Sequence, residues 1–170
     1  MVEACMDIDH RRLGIDLFNH TWRFLEKPER TAEEDEAMIH AAYASRYHWS
    51  QASQEPKHQA RGEWQLARVY TVAGRPEPAV HHARKCLEWC ERGGVEDWDI
   101  AFAHEALARA YKLAGNAADA ERYKRAKPAM RSPTLETAST STRTGRRSSR
   151  LGSQHGAPRE TSGADVLSAG

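Results

Sequence analysis

Residues 66–79 read LARVYTVAGRPEPA and residues 107–120 read LARAYKLAGNAADA, so one stretch occurs twice, 41 residues apart. Seven positions are identical in the two copies: Leu66/Leu107, Ala67/Ala108, Arg68/Arg109, Tyr70/Tyr111, Ala73/Ala114, Gly74/Gly115 and Ala79/Ala120. An internal repeat on this scale is typical of stacked supersecondary units, because each unit buries its apolar face against the next. The repeat therefore constrains the architecture more than any other feature of the chain.

The apolar residues of 1–128 have helical spacing, and no segment alternates convincingly as a strand would. The clearest stripe runs from Ala79 to Cys90; Pro76 suits the first turn of that helix, and Gly93-Gly94 can end it. The spacing predicts six helices: about 8–26, one that begins at the capping box Thr31–Glu34, about 57–73, one from Pro76 to Gly93, about 97–114, and one from Asn116 to Lys127 that ends at Pro128.

The shared residues fit helices that cross closely. Alanines at 67, 79, 108 and 120 allow close approach, and Tyr70 and Tyr111 fill the space between helices. This Leu-Ala-x-x-Tyr, Gly and Ala spacing resembles the tetratricopeptide repeat (TPR), and LGIDL at 13–17 is a fainter match. The 41-residue spacing exceeds the family's unit of ~34 residues.

Three further segments, YASRYHW, ARGEWQLARVY and HARKCLE, look like those of small bacterial tetratricopeptide-like proteins of unassigned activity. The resemblance covers roughly residues 8–127. It implies an all-α, right-handed stack of about three antiparallel helical hairpins, and it implies no particular activity.

Composition divides the chain into a helical domain, 1–128, and a tail, 129–170. The tail contains no aromatic residue and is rich in Ser, Thr, Gly and Pro, so we expect it to be disordered. One hypothesis for its origin is a frameshift, because reading the back-translated segment one frame over can give an acidic, helix-compatible sequence.

Charge and cysteine content limit the class of protein. The tail is +3 and the rest of the chain −2, which is not the basic footprint of a nucleic-acid-binding protein. The chain has no long apolar run and no basic, apolar leader, and three cysteines do not form a disulfide framework. We therefore expect a cytoplasmic protein that binds neither membrane nor nucleic acid.

In tetratricopeptide arrays the first helix of each pair lines a concave groove that receives a protein or peptide partner. Carried over to this chain, the groove positions are Arg61, Trp64, Gln65, Arg68, Phe102, Glu105, Arg109 and Lys112. Arg68 and Arg109 occupy equivalent positions in the repeat, and two guanidiniums on one cavity would grip an acidic partner. The carboxylate-clamp pattern of chaperone-binding members has Lys and Asn where this chain has Trp64 and Arg68.

Three of the groove residues, Trp64, Arg68 and Arg109, also have a simpler interpretation. Trp64 can be core packing between helix pairs, and the two arginines can be surface ion pairs with Glu63 or Glu105. No nucleophile–base pair and no phosphate loop can be assembled from the spacing, so we expect a non-catalytic protein that needs no cofactor.

The alternative is a metal- or ligand-binding protein, or an enzyme, that uses a His-rich helical interior. His82, Cys86 and Cys90 follow at four-residue intervals, but a rise of ~1.5 Å per residue lets at most two of them reach one ion. Buried packing of the two cysteines is the competing interpretation. A further option is a homodimer formed through the truncated last repeat, since an uncapped stack leaves an apolar end.

Overall fold

The computed structural model describes residues 8–95 and 98–126. These residues form six α-helices, and no strand occurs among them. The helices are α1 His10–Leu25, α2 Ala32–Ala52, α3 Pro56–Val72, α4 Pro76–Gly93, α5 Trp98–Leu113 and α6 Ala117–Ala126. The predicted all-α class is confirmed. The predictions for the tail 129–170 and for the helix end at Pro128 lie outside the described residues.

The helix starts follow the local sequence. The Thr31 side chain accepts a hydrogen bond from the Glu34 N–H, and the Glu34 carboxylate accepts one from the Thr31 N–H, which is the predicted capping box. Asn116 accepts from the Asp119 N–H at the start of α6. Pro76 occupies the first turn of α4, where its missing N–H leaves no intrahelical bond unmade.

The repeated sequence forms the same helix end twice. Gly74 and Gly115 both have positive φ, +69° and +74°, which L side chains rarely adopt. In each copy the residue after the glycine donates its backbone N–H to a tyrosine carbonyl: Arg75 to Tyr70 and Asn116 to Tyr111, both over 2.9 Å. The glycines are thus required by the turn geometry at the ends of α3 and α5.

The main core lies between α2, α3, α4 and α5 and is built largely from small and branched side chains. Its buried members include Met38, Leu66, Val69, Leu107 and the two repeated tyrosines. In α1, Leu13 is exposed, whereas Gly14, Phe18 and Thr21 are buried. Gly14 lies against Trp49 of α2, so a residue without a side chain is needed at that contact.

Each helix packs against the next one in the chain, and α3 also packs directly against α5. Connections as short as 53–55 and 73–75 make successive helices antiparallel neighbours. Helix α3 is therefore enclosed by α2, α4 and α5, and eleven of its 17 residues are buried. That enclosure decides which of its polar side chains remain accessible.

Candidate functional site

The eight residues predicted to line the groove come from α3 and α5, but the structure separates them into two groups. Arg61 and Gln65 were predicted to be exposed and are buried, with 7% and 1% of their surface accessible. Trp64, Arg68, Phe102, Glu105, Arg109 and Lys112 are partly or fully exposed. The prediction of exposure was therefore wrong for two positions.

The two buried residues join helices. Arg61 donates to the Asp99 carboxylate of α5 over 3.1 and 3.3 Å, and its guanidinium lies 4.4 Å from the centre of the Trp98 ring. The Gln65 amide donates to the Phe18 carbonyl of α1 over 3.0 Å. Buried polar groups need such partners, because an unpaired one costs ~1–3 kcal/mol. Arg61 and Gln65 therefore form hydrogen bonds between packed helices and are not accessible for binding a partner.

Trp64 and Arg68 contact a residue of α1, a helix outside the predicted groove. The Trp64 ring lies 5.9 Å from Trp22 of α1 and 5.6 Å from Phe102 of α5, measured between ring centroids. The Arg68 guanidinium lies 5.6 Å from the Trp22 ring centre. Trp22 and its neighbour Asn19 thus extend the surface onto α1, and we call this surface the α1–α3–α5 face. The faint LGIDL match in α1 was the only sequence signal for this contribution.

Arg68 and Arg109 are electrostatic neighbours on this face. Arg109 donates to the Glu105 carboxylate, as one interpretation of the sequence had anticipated. Burial lowers the pKa of Arg109 below its usual range, and the charge of Arg68 acts in the same direction while that of Glu105 opposes it. The charged form of Arg109 is thus disfavoured by burial and by the charge of Arg68, and Glu105 on the same helix offsets part of this effect.

The same face concentrates buried polar atoms that have no hydrogen-bond partner among the described residues. The N–H donors among them are Trp22 Nε1, Trp64 Nε1, Arg68 Nε and Arg109 Nε. Asn19 Oδ1, three residues before Trp22 on α1, is an acceptor without a partner, and Trp49 Nε1 and His104 Nδ1 are also without one. Buried donors without partners are uncommon in folded proteins, and these four belong to residues of one face, although the donor atoms themselves are enclosed by the protein.

A small cavity adjoins the face. Its volume is about 30 Å³, and it is lined by Ala60, Trp64, Cys86, Trp98 and Phe102 together with the Arg61–Asp99 pair. Trp64 and Phe102 belong to both the cavity and the face. The lining is mainly apolar because Arg61 and Asp99 direct their charged atoms at each other.

The proposed metal candidates do not converge. His82 Nδ1 donates to Glu63 Oε2 over 2.7 Å, and His82 Nε2 lies 3.0 Å from the Tyr43 hydroxyl. Cys86 and Cys90 are buried beside each other, and their mutual hydrogen bond and burial raise the pKa of the Cys86 thiol well above its ordinary value. Within the described ranges, no three His, Cys, Asp or Glu side chains are grouped so that they could hold a metal ion.

Four further histidines of the described residues, His10, His48, His58 and His104, lie at three separate places in the fold. His58 stacks on Trp49 with ring centroids 4.4 Å apart, His48 contacts His10 at 2.8 Å, and His104 faces Tyr123. Burial lowers the pKa of His48, His58 and His104, so these rings are disposed to be neutral. A common histidine-lined pocket is not formed by these residues.

No described helix combines the length and apolar character needed to cross a membrane. Comparison with known proteins found no match to a protein-family profile, to a curated protein or to a solved structure. The α1–α3–α5 face, with Arg68, Arg109, its indoles and the adjoining cavity, is thus the candidate site on the grounds of geometry and chemistry alone.

Proposed function

We propose that this chain is a non-catalytic, tetratricopeptide-like module that binds a peptide segment of a protein partner on the α1–α3–α5 face. The observation that carries the proposal is the series of partly exposed rings Trp22, Trp64 and Phe102, with the Arg68 guanidinium beside Trp22. A peptide can pack apolar side chains against these rings, and a carboxylate on it can accept from an arginine of the face.

The repeat supports the stacked architecture in this proposal. The two copies form equivalent turns at Gly74 and Gly115, and α3 and α5, which begin the second and third helical pairs, pack directly together. Stacked pairs of this kind place the first helices of successive pairs side by side on one surface. Trp22, Trp64 and Phe102 lie on those helices and contact one another in series.

The chemistry of the face also suits a protein partner. Trp and Arg are the residue types most enriched at energetic centres of interfaces, because they combine large apolar area with directional hydrogen bonds. Arg68 lies over an indole ring, which holds its planar guanidinium in a defined orientation. A preoriented guanidinium loses less entropy on binding than a freely rotating side chain does.

The test begins with selection of peptides from a random phage-displayed library on the immobilised full chain. Binding of a selected, fluorescein-labelled peptide is then measured by anisotropy for the wild type and for the double variant Arg68→Ala/Arg109→Ala. We expect at least a tenfold loss of affinity, since a hydrogen bond to a charged group contributes ~1.5–3 kcal/mol. The matched control is Arg122→Ala/Arg125→Ala, which removes the same charge from exposed positions of α6.

The melting temperatures of both double variants, measured by circular dichroism, separate loss of binding from loss of fold. The proposal is contradicted if the library yields no binder. It is also contradicted if the Arg68/Arg109 variant remains folded and binds the selected peptides as tightly as the wild type.

A further inference from the structure

We propose that His10 and His48 form a two-histidine site for a divalent metal ion that takes nitrogen ligands at right angles, which is the preference of Cu²⁺ and Ni²⁺. The two residues lie where α1 begins and where α2 approaches its end. The inference is carried by the distance between their ring nitrogens and does not depend on the proposed binding of a peptide.

The two imidazole rings meet through their Nδ1 atoms. His10 Nδ1 lies 2.8 Å from His48 Nδ1, and the ring centroids are 5.0 Å apart. Two nitrogens that each lie ~2.0 Å from one ion are ~2.8 Å apart at a right angle and ~3.3 Å apart at the tetrahedral angle. The observed separation therefore fits neighbouring positions of a square or octahedral ion, and Cu²⁺ and Ni²⁺ adopt that geometry with nitrogen ligands.

Contacts between α1 and α2 hold the two histidines in this register. The Ser45 hydroxyl donates to the Gly14 carbonyl over 2.8 Å, about one turn from the histidine on each helix. Trp49, the residue after His48, packs against Gly14, and Asp9 caps the first turn of α1. Both histidines thus project from regular helix positions that buried contacts fix, and such preorganisation favours metal binding.

The pair is accessible to an ion from solvent. His10 and His48 are both partly exposed, and the exposed Tyr47 ring lies edge-on to each of them. Since no third His, Cys, Asp or Glu of the described residues joins them, water would complete the coordination. Burial, with a further contribution from the charge of His10, lowers the pKa of His48, and a neutral imidazole is the form that binds a metal.

A hydrogen bond between two neutral rings accounts for the same distance without a metal. In that arrangement one Nδ1 carries a proton and donates it to the other. A metal ion needs both Nδ1 lone pairs, so the proton moves to the Nε2 atom of the same ring when the ion binds. The two interpretations therefore differ in whether the folded protein binds and is stabilised by the ion.

The first experiment is a calorimetric titration of the full chain with Ni²⁺ at neutral pH, because Ni²⁺ does not oxidise cysteine thiols. We expect one ion per chain in the wild type. His10→Ala and His48→Ala should each weaken binding about tenfold or more, since one imidazole remains where two acted together. The matched control is His20→Ala/His40→Ala, which removes one exposed histidine from each of the same two helices and should bind as the wild type does.

Electron paramagnetic resonance of the Cu²⁺-loaded chain examines the geometry. A tetragonal spectrum with hyperfine splitting from two nitrogens is expected for the wild type and for the control. Each single substitution should remove one of the two nitrogens. A spectrum without two imidazole nitrogens in the wild type would overturn the inference.

Urea unfolding in Ni²⁺ or in EDTA separates a metal site from a hydrogen bond alone. Ni²⁺ should raise the urea midpoint of the wild type and of the control, because it binds the folded state, and should leave that of His10→Ala unchanged. A wild-type midpoint that Ni²⁺ does not raise would overturn the inference. Binding that survives both single substitutions, or that the His20/His40 control loses equally, would also overturn it. His10→Ala at the helix end carries the test if His48→Ala fails to fold.

Discussion

Replacing Glu63 by alanine removes an acceptor that three helices share. Glu63 Oε2 accepts from His82 Nδ1 of α4 over 2.7 Å, and Oε1 accepts from Arg46 Nε of α2 over 3.2 Å. On the other side of the His82 ring, Nε2 lies 3.0 Å from the Tyr43 hydroxyl of α2. Tyr70 of α3 donates in turn to Tyr43 over 3.2 Å.

The expected cost follows from which partners can regain water. Glu63 and His82 are buried, with side chains 5% and 8% exposed, whereas the Arg46 side chain is 18% exposed. A hydrogen bond to a charged group contributes ~1.5–3 kcal/mol, and Glu63→Ala removes two of them. Because the Arg46 guanidinium can be partly rehydrated, we expect a loss of about 2–4 kcal/mol in the free energy of unfolding.

The assay is urea-induced unfolding at neutral pH, followed by far-UV circular dichroism, with Glu63→Ala compared to the wild type. Glu121→Ala, an exposed acid on α6, is the control and should change the free energy of unfolding by no more than ~0.5 kcal/mol. A loss below ~1 kcal/mol for Glu63→Ala would refute the reasoning. It would mean that the desolvation of the buried carboxylate cancels what its hydrogen bonds contribute.

Two further predictions concern stability. Burial alone would raise the pKa of Glu63, but the hydrogen bond with His82 and the charge of Arg46 hold it below its ordinary value of 4.5. The contribution of the ionised Glu63 to the free energy of unfolding is therefore complete above pH 4.5 and is lost as the pH falls through the lower pKa of the folded state. The difference in free energy of unfolding between the wild type and Glu63→Gln should accordingly shrink in acid. A difference that does not change with pH in urea titrations would contradict this. Gly14→Ala places a Cβ 2.9 Å from the buried Trp49 ring. It should lower the free energy of unfolding by about 1–3 kcal/mol despite the higher helix propensity of alanine. The measurement is urea unfolding, and the control is Asp16→Ala, an exposed substitution on the same helix. An equally stable Gly14→Ala protein would show that Trp49 moves aside.

The sequence predicted the helices well because their signals are local. The capping box at Thr31, the proline in the first turn of α4 and the glycines after the repeated tyrosines each act within a few residues. Such signals depend on backbone geometry and do not require knowledge of the neighbouring helix. The all-α class and most of the helix bounds could therefore be read from one sequence.

Side-chain exposure on α3 could not be predicted in the same way. Arg61 and Gln65 belong to a polar stretch, and hydrophobic periodicity assigns such residues to the surface. They are buried because partners from other helices, Asp99 and the Phe18 carbonyl, satisfy them there. Those partners are distant in sequence, and no local pattern identifies them.

The repeat itself misleads about which residues meet. Aligned copies equate positions 41 residues apart, yet Arg61 pairs with Asp99 and Trp64 contacts Phe102, both 38 residues away. The packed helices are thus offset by three residues, nearly one turn, relative to the alignment of the repeat. Residues that are equivalent in the repeat are consequently not level with each other on the face.

This offset also changes how Arg68 and Arg109 are placed relative to each other. With the offset, residue 109 of α5 lies about one turn beyond the level of Arg68 on α3. Long side chains on a helix lean toward its N-terminus, and Arg109 does so when it reaches Glu105. That lean directs its side chain back toward the level of Arg68, whose charge adds to burial in lowering the pKa of Arg109. Equivalence in the repeat therefore does not by itself place the two guanidiniums level with each other, and the lean of the Arg109 side chain reduces the difference.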